Sequence, residues 1–225
     1  MLTKNDCDLF INNSTQEVRL KNFLFDYEKK VLSLIKKIGR MADKNGISAY
    51  LVGGAVRDII LGCRNLDIDI VVDNNAIEFA DNLSSAFNVE FIKYKKFGTA
   101  TGMFPGKIQI DLASARKETY DFSGALPTVF KGDLNDDLFR RDFTINAMAI
   151  SINRKNFGRL IDEWGGFKDL KNKKIRVMHK NSFKDDPTRL MRAVRFEQRF
   201  DFKIEKQTLS YFKEALRKKY FLNVN

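Results

Sequence analysis

The chain has 225 residues, of which 44% are hydrophobic and 31% charged, and its one histidine and two cysteines are too few for a multi-histidine metal site or a disulfide framework. Its formal net charge of +11 favours a polyanionic partner, with nucleic acid as the leading candidate, although lysine-rich usage alone would supply part of that charge. No apolar run approaches the ~20 residues of a membrane span and the first residues lack the apolar region of a signal peptide, so we expect a cytoplasmic protein.

The first segment, residues 1–24, is polar and irregular and is interpreted as an N-terminal extension. A helix is predicted for Phe25–Lys44, because apolar residues recur there with a helical period and lysines occupy the positions between them. Such an amphipathic helix buries one face, and we expect it to cover the sheet that follows.

A strand, a glycine pair and a helix come next, at Tyr50–Val52, Gly53-Gly54 and Ala55–Leu61. Glycines at a strand-to-helix turn let an anion approach the backbone, and the free N–H groups of the new helix point towards it. Arg57, on the first turn of the helix, can reach the same anion. The stretch is therefore a candidate phosphate site.

Two carboxylates, Asp67 and Asp69, stand two residues apart on the next predicted strand, which continues into the apolar run Ile70–Val72. Side chains alternate along a strand, so both carboxylates project to one side while Ile68 faces the other. Mg²⁺ binds one or two carboxylates together with phosphate oxygens and waters. Glycine pairs and Asp-x-Asp are each common, but their combination is specific and predicts a Mg²⁺ site.

The complete pattern, Gly-Gly-x-x-Arg-Asp followed after eight residues by Asp-x-Asp, resembles the first motif of the class II tRNA nucleotidyltransferase and bacterial poly(A) polymerase family. This family lies within the DNA polymerase β-like nucleotidyltransferases. The resemblance implies an α/β (α+β) head domain, residues 25–172, in which helices flank a mixed β-sheet. It also implies that residues 173–225 begin a helical neck that binds nucleotide and RNA and is cut short.

The next elements are predicted to be one helix and three strands, at Asn75–Phe87, Val89–Tyr94, Gly98–Phe104 and Lys107–Leu112. The last two strands form a hairpin through Pro105-Gly106. Asp111, on the second hairpin strand, stands where the family carries a third acidic residue, so the resemblance implies an active-site carboxylate. The alternative is an ion pair with Arg116 or a lysine.

Arg116–Asp137 contains two glycines and a proline and has no sustained period, so we expect a mobile loop there. The following stretch, Arg140–Ala149, resembles the family's second motif. In isolation its arginines and acid would be a surface ion-pair cluster. The resemblance implies that Arg141 binds the triphosphate, since a planar guanidinium holds two phosphate oxygens at once, and that Asp142 orients it or contacts the sugar.

Asp162–Leu170 resembles the family's third motif and is predicted to form a turn. A further helix begins near Pro187, where a preceding aspartate can cap it. A capped helix is the simple interpretation, but Asp186 is followed by arginines at every third residue, which form an oblique row on the helix. This matches the family's base-reading motif and adds three arginines to the candidate site: Arg189, Arg192 and Arg195.

The resemblance implies that Asp186 and Arg189 choose the base together. Cytosine and adenine each present an amino donor beside a ring-nitrogen acceptor, which complements a carboxylate beside a guanidinium. Guanine and uracil present the reverse order, and unmade buried hydrogen bonds cost ~1–3 kcal/mol each. Arg192 and Arg195 would support the triphosphate and the base-reading pair.

The family's activity implies transfer of CMP and AMP from CTP and ATP to the 3′ end of tRNA or another RNA. It implies two Mg²⁺ ions on Asp67 and Asp69 as cofactor and pyrophosphate as product. Complete CCA addition, CC addition, A addition and polyadenylation stay open, because nothing in the sequence separates them. A non-catalytic fragment that binds nucleotide or RNA is the alternative from another class, since the family continues for further helices.

The last predicted helix, Lys206–Lys219, carries leucine and aromatic side chains on one face over about three turns. A face of this kind favours self-association or a second polypeptide that covers it. The resemblance implies that later helices hold the tRNA, so we expect RNA to bind weakly and through phosphate contacts that fade with salt.

Overall fold

The structure, a computed structural model, describes residues 26–63 and 66–223, so the predicted extension over residues 1–24 lies outside the described part. Its helices are α1 (Asp26–Lys44), α2 (Gly54–Ile60), α3 (Ala76–Phe87), α4 (Leu134–Phe139), α5 (Gly166–Lys171), α6 (Ser182–Asp185), α7 (Thr188–Phe200) and α8 (Lys206–Arg217). Its strands are β1 (Ala49–Val52), β2 (Asp67–Val72), β3 (Phe91–Tyr94), β4 (Thr99–Phe104), β5 (Ile108–Ser114), β6 (Arg116–Thr119), β7 (Thr128–Lys131), β8 (Ala149–Ser151), β9 (Leu160–Ile161), β10 (Lys174–Ile175) and β11 (Lys203–Ile204). Within these ranges no helix is both long and apolar enough to span a membrane.

One mixed sheet of seven strands organises the first part of the chain, in the order β3-β4-β5-β2-β1-β8-β9. Strands β2 and β5 are parallel, whereas the other neighbours are antiparallel. The parallel pair needs a long connection, which α3, β3 and β4 provide. The predicted α/β fold with a mixed sheet and flanking helices is confirmed.

The two faces of this sheet differ in character because side chains alternate along each strand. One face presents Ile68, Ile70 and Leu112, which are buried, and α3 adds the buried Phe79 and further apolar residues to the same core. The opposite face of the same strands carries the exposed or half-buried polar side chains of Asp67, Asp69, Gln109 and Asp111, next to the buried Val71. The core therefore lies on one side of the sheet and leaves the other side for a site.

Helix α1 forms where the sequence predicts it and packs closely on the backbone after β8. A Cβ atom on Gly39 would lie 1.9 Å from the carbonyl oxygen of Ile152, so any other residue would push the helix away. Asp43 extends this contact, since its carboxylate accepts hydrogen bonds from the Asn153 side chain and the Arg154 N–H. The glycine thus permits the close approach that the amphipathic pattern requires.

The chain divides into two compact units that interleave along the sequence. The first comprises the described residues up to Ala115 together with Met148–Ile161, which form the seven-stranded sheet. The second comprises residues 116–147 and the described residues from Asp162 onwards. In this division residues 116–147 and 162–172 group with the C-terminal segment, and the predicted end of the head domain at residue 172 stays a prediction.

The expectation of a mobile, irregular loop at Arg116–Asp137 is wrong, because the second unit forms two strands and the start of a helix there. Strands β6 and β7 pair in antiparallel register from Arg116 opposite Lys131 to Thr119 opposite Thr128. Asp133 then begins α4 with reciprocal hydrogen bonds to Asp136, a capping box. Six of the eight residues in these two strands are polar, and the two apolar ones, Val129 and Phe130, are adjacent, so the apolar alternation that identifies a strand is missing.

Helix α8 buries only part of its apolar face within the second unit. Ala215 is buried and the Phe212 ring meets the Phe183 ring edge-on at 5.6 Å. Leu209 and Leu216 stay 37% and 44% exposed. Self-association through this face stays a prediction.

Candidate active site

Three aspartates lie on the polar face of the seven-stranded sheet. Asp67 and Asp69 are on β2, where the buried Ile68 separates them, as the alternation predicts. Asp111 is on the parallel neighbour β5 and lies directly opposite Asp69 in the register. Opposed residues on adjacent strands project to the same face, so all three carboxylates face one side.

Hydrogen bonds from the same sheet face orient the Asp111 carboxylate. Thr101 Oγ1 on β4 donates to one carboxylate oxygen at 2.6 Å, and Gln109 Nε2 on β5 donates to the other at 2.7 Å. Neither partner is charged. The alternative that the sequence left open, an ion pair with Arg116, does not form, since Arg116 pairs with Glu118 at 2.9 Å.

The glycine pair lies at the end of β1, as predicted. Gly53 has φ +67°, a conformation that L side chains rarely adopt, and Gly54 starts α2. A guanidinium nitrogen of Arg57 lies 3.4 Å from the position that a Cβ on Gly54 would take. Arg57 is only 4% exposed and forms an ion pair with Asp58 at 2.7 Å, so in this structure it supports the turn from inside.

In the second unit, a fully buried carboxylate holds both arginines of the second motif. Asp137 accepts from Arg140 Nη2 at 2.6 Å and from Arg141 Nη2 at 2.8 Å. Burial alone would raise the pKa of Asp137, but Arg141 and Arg140 lower it below its ordinary value of 3.8. Glu118 on β6 adds a second acceptor for Arg140 at 3.1 Å.

One buried nitrogen of Arg141 lacks a hydrogen-bond partner. Its Nε is buried and has no hydrogen-bond partner, a property that it shares only with the Ser123 hydroxyl among the described residues. An unsatisfied buried N–H costs about 1–3 kcal/mol, so such a group marks a place where a partner is missing. The donor is suited to an anionic oxygen.

Asp142 holds a different arginine from the one expected, which corrects the expectation that it orients Arg141. One carboxylate oxygen accepts from the Phe143 N–H and the Asn146 side chain, both at 2.8 Å. The other accepts from Arg192 on α7, at 2.8 Å from Nε. Asp137 supplies the orientation of Arg141 instead, and a contact between Asp142 and a sugar stays a prediction.

Asp186 and Arg189 are neighbours in space, with a carboxylate oxygen 3.6 Å from Arg189 Nε. Asp186 is extended between α6 and α7, and it accepts hydrogen bonds from the Thr188 N–H and hydroxyl. Asp186 therefore binds the first N–H group of α7, while Pro187 occupies the N-cap position that the sequence analysis expected an aspartate to fill. Arg189 is 4% exposed and donates to the Ser182 hydroxyl at 2.6 Å and to the Arg140 carbonyl at 2.8 Å.

The other two arginines of α7 lie against an aromatic ring. The guanidinium carbons of Arg192 and Arg195 are 5.5 and 5.7 Å from the centre of the Phe196 ring. Arg192 is half-exposed and Arg195 is exposed. Their placement one turn apart agrees with the predicted row, and it leaves both with donors near the surface.

A pocket of about 140 Å³ in the second unit brings Arg189 together with residues that the sequence analysis did not assign. Tyr120 lines it and donates to Glu118 at 3.0 Å; burial, reinforced by that carboxylate, raises its pKa to about 12. His179 lines it as well and stacks on Phe139 at 5.2 Å, so it is half-buried. Burial lowers the pKa of His179, although Asp185 at 3.9 Å opposes this.

Most of the residues described above lie in a segment that matches a known protein family. Residues 49–176 match the model of the Poly A polymerase head domain, which is more than half of the chain. The chain belongs to this family. The matched segment contains the glycine pair, the three aspartates and the second motif, so the resemblance seen in the sequence is confirmed.

Relatives within the poly(A) polymerase head family include A-adding tRNA nucleotidyltransferases. That of Aquifex aeolicus is 49% identical over 170 residues, 76% of this chain and 20% of the relative. That of Geobacter sulfurreducens is 43% identical over 189 residues, 84% of this chain and 22% of the relative. The chain thus spans about a fifth of the length of these two relatives.

Solved structures show the same head. A CCA-adding enzyme in an apo form is 46% identical, with a TM-score of 0.86 over 92% of this chain and 48% of that one. The Thermotoga maritima CCA-adding enzyme complexed with tRNA is 44% identical, with a TM-score of 0.80 over 92% of this chain and 46% of that one. These likenesses extend beyond the matched head segment into α7 and α8.

Sequence reasoning missed the acids that hold the head family's arginines. Asp137 stands three and four residues before Arg140 and Arg141, a spacing that places the three side chains together on a helix, so the sequence did contain this information. Glu118 is 22 residues from Arg140 along the chain. No local sequence pattern predicts that contact.

Proposed function

We propose that the chain is a template-independent RNA nucleotidyltransferase, which adds AMP, CMP or both from ATP and CTP to the 3′ end of tRNA. The observation that carries this proposal is the pairing of Asp69 with Asp111 across parallel strands, with Asp67 on the same face of the sheet. The family match and the relatives named for tRNA nucleotidyl transfer support it.

Asp67 and Asp69 would hold the Mg²⁺ that this reaction needs, with Asp111 beside them. Their chemistry fits, since Mg²⁺ takes one or two carboxylates and fills its other positions with phosphate oxygens and waters. In the described ranges no three histidine, cysteine or acidic side chains lie close enough to hold a metal by themselves, and the proposal assigns the remaining positions to substrate oxygens and waters. When bound, Mg²⁺ would lower the pKa of the attacking 3′-hydroxyl and neutralise the leaving pyrophosphate.

Each unit has its own proposed phosphate-binding residues: Gly53, Gly54 and Arg57 in the first unit, and Arg141 in the second. Asp137 fixes the Arg141 fork, and the buried Nε of Arg141 lacks a partner that a phosphate oxygen would supply. The backbone N–H groups at the glycine turn approach an anion without steric hindrance. Arg57 lies beneath the turn, where it is paired with Asp58, and the proposal assigns it to the phosphates from that side.

Asp186 and Arg189 are the proposed base readers. The pair is preorganised, because Ser182 and Arg140 restrain the guanidinium while Thr188 restrains the carboxylate. Arg189 has five N–H groups and the two hydrogen bonds use two of them, so donors remain for a base. Arg192 and Arg195 support the nucleotide from the exposed side of α7.

The test is incubation of the protein with tRNAs that lack A, CA or CCA, using labelled CTP or ATP with Mg²⁺. We expect extension of at least one of these tRNAs, and the ladder of products on a gel identifies which nucleotides are added. Absence of any extension, with nucleotide binding intact, would leave the non-catalytic binding fragment as the better account.

Addition of A alone is the second candidate. It is favoured by the names of the two relatives, which are 43% and 49% identical and are both A-adding. In the same experiment this function gives one labelled AMP on tRNA ending in CC and no product with CTP. A long ladder with ATP would instead indicate polyadenylation.

A further inference from the structure

The strongly exposed large hydrophobic side chains in the described part of the first unit all lie in one place. Ile92 and Tyr94 on β3, Phe97 in the turn after it and Met103 on β4 are 62%, 49%, 52% and 55% exposed. Scattered single hydrophobic residues are normal at a surface, but a concentration of them marks an interaction site. These four side chains, the exposed patch, are therefore a candidate interaction site.

The strand register places the patch on the same face as the carboxylates. Ile92 is opposite Thr101, Thr101 is opposite Asp111, and Asp111 is opposite Asp69, so one row crosses four strands. Tyr94 is two residues further along β3 on the same face. Neighbouring strands are about 4.8 Å apart, so Ile92 stands roughly 10 Å from Asp111.

Met103 continues the patch along the next row of the same face. It lies opposite Gln109, which in turn lies opposite Asp67 on β2. Both rows thus run from exposed apolar side chains at the edge of the sheet to carboxylates at its centre. A ligand lying across β3 and β4 has one end at the edge of the sheet and the other beside the aspartates.

The charges around the patch identify the chemistry of this ligand. Lys95 and Lys96 directly follow Tyr94 and are exposed, and Lys96 lies over the Phe97 ring at 5.9 Å. Lys93 projects to the other face, where it pairs with Asp81. Aromatic side chains interleaved with cations are typical of surfaces that bind single-stranded nucleic acid, since bases stack on rings while cations meet phosphates.

We propose that Ile92, Tyr94 and Met103 form a primer platform, which binds the last nucleotides of the RNA strand whose 3′-hydroxyl reacts. The bases lie against Tyr94 and its apolar neighbours, and the backbone meets Lys95 and Lys96. The strand then ends beside Asp111 and Asp69. This inference rests on the proposed function and assigns the second substrate to one surface of the first unit.

The test compares two triple variants of the 225-residue chain. Ile92→Thr, Tyr94→Thr and Met103→Thr together remove the platform, and threonine keeps the preference for strand structure. Leu209→Ala, Leu216→Ala and Leu222→Ala together remove three exposed hydrophobic side chains from α8 and the turn after it. Thermal unfolding of each verifies that the fold persists.

Fluorescence anisotropy with a short labelled single-stranded RNA ending in CC measures primer binding directly. We expect the platform variant to bind this RNA about tenfold more weakly, in the range for loss of one stacked base, and the α8 variant to bind like the wild type. The affinity for ATP should be unchanged in both. Of two single variants, Tyr94→Thr should lose primer affinity, whereas Tyr94→Phe, which keeps the ring, should bind the primer like the wild type.

Unchanged primer binding in the platform variant would overturn the proposal. So would an equal loss in the α8 variant, or a loss of ATP affinity, which would place the incoming nucleotide on the patch. A change of oligomeric state with primer binding intact would show that β3, the edge strand, pairs with a second copy. Failure of the proposed function looks different: the wild type extends no tRNA, while primer binding still depends on Tyr94.

Discussion

The polar face of the sheet in the first unit and the arginine cluster of the second unit hold their charged groups in different ways. On the sheet, Asp111 is oriented by neutral donors from neighbouring positions on the same face, Thr101 and Gln109. In the second unit, Arg140 and Arg141 are oriented by buried acids, of which Asp137 is fully buried.

This difference has a physical cause. Strand register alone brings carboxylates side by side, and their mutual repulsion in the absence of cations suits a face that takes up metal. Guanidinium groups on helices and turns have long flexible side chains, so fixing them requires partners that remove their rotamer freedom. Substitutions on the sheet should therefore change chemistry with the fold intact, whereas substitutions in the cluster should change stability as well.

The largest expected effect is that of Asp69→Ala on nucleotide transfer. Removal of a proposed metal ligand from the polar face should lower the rate by about a thousandfold or more, because metal ions contribute several kcal/mol to such transition states. Single-turnover incorporation of labelled AMP measures it. Asp81→Ala removes an exposed carboxylate of α3; it is the matched control and should keep the rate. The metal assignment would be contradicted if Asp69→Ala and Asp67→Ala both transferred nucleotide at a near-normal rate.

The second effect is on stability. Asp137→Asn leaves two partly buried guanidinium groups without their shared carboxylate, and we expect a loss of about 3 kcal/mol in the free energy of unfolding. Denaturant titration measures it, with the exposed Asp121→Asn as control. A loss no larger than that of the control would show that the cluster does not stabilise the second unit.

The difference in unfolding free energy between the wild type and Asp137→Asn should depend on pH. The folded pKa of Asp137 lies below its ordinary value of 3.8, so its ionised form contributes stability that is fully present above that value. That contribution is lost as the pH falls from about 3.8 through the lower folded pKa. The difference between wild type and Asp137→Asn should be constant near neutral pH and should shrink only in this acidic window.

A smaller effect is expected on the choice of base. Arg189→Ala should reduce the preference for C and A over G and U by about tenfold to a hundredfold, because each unmade buried hydrogen bond costs ~1–3 kcal/mol. Competition between labelled nucleotides measures this ratio. Arg199→Ala, on the exposed side of the same helix, is the control, and Ser182→Ala should give a weaker shift since it loosens the guanidinium without removing it. An unchanged preference in Arg189→Ala would leave helix capping as the role of Asp186.

The smallest effect concerns the support of Asp111. Thr101→Val removes the hydroxyl that donates to the carboxylate at 2.6 Å and keeps the shape of the side chain. Loss of one hydrogen bond of about 1 kcal/mol should lower the transfer rate about fivefold. Thr99→Val, in the adjacent row of the same face opposite Ala113, should leave the rate unchanged. Equal rates for both variants would place Asp111 outside the chemistry.

The sheet was predictable from the sequence to a large extent. The alternation of Asp67, Ile68 and Asp69, the glycine turn before them and the hairpin that carries Asp111 are all local patterns, and each element forms within a few residues of its predicted position. The hairpin β6–β7 was missed because its strands lack an alternation of apolar and polar residues. The environment of the single histidine was not predictable either, since the His179 ring stacks on Phe139, which is 40 residues away.

By itself, then, the sequence determined the family, the order of the elements and the face on which the carboxylates lie, because these depend on periodicities of two and 3.6 residues and on motifs read along the chain. Only the tertiary structure decided that Asp69 is opposite Asp111, that Asp142 holds Arg192 and that Glu118 reaches Arg140. Partners of this kind are brought together by strand register and helix packing over separations of up to 50 residues, and ion pairs between flexible side chains leave no periodic trace in the sequence.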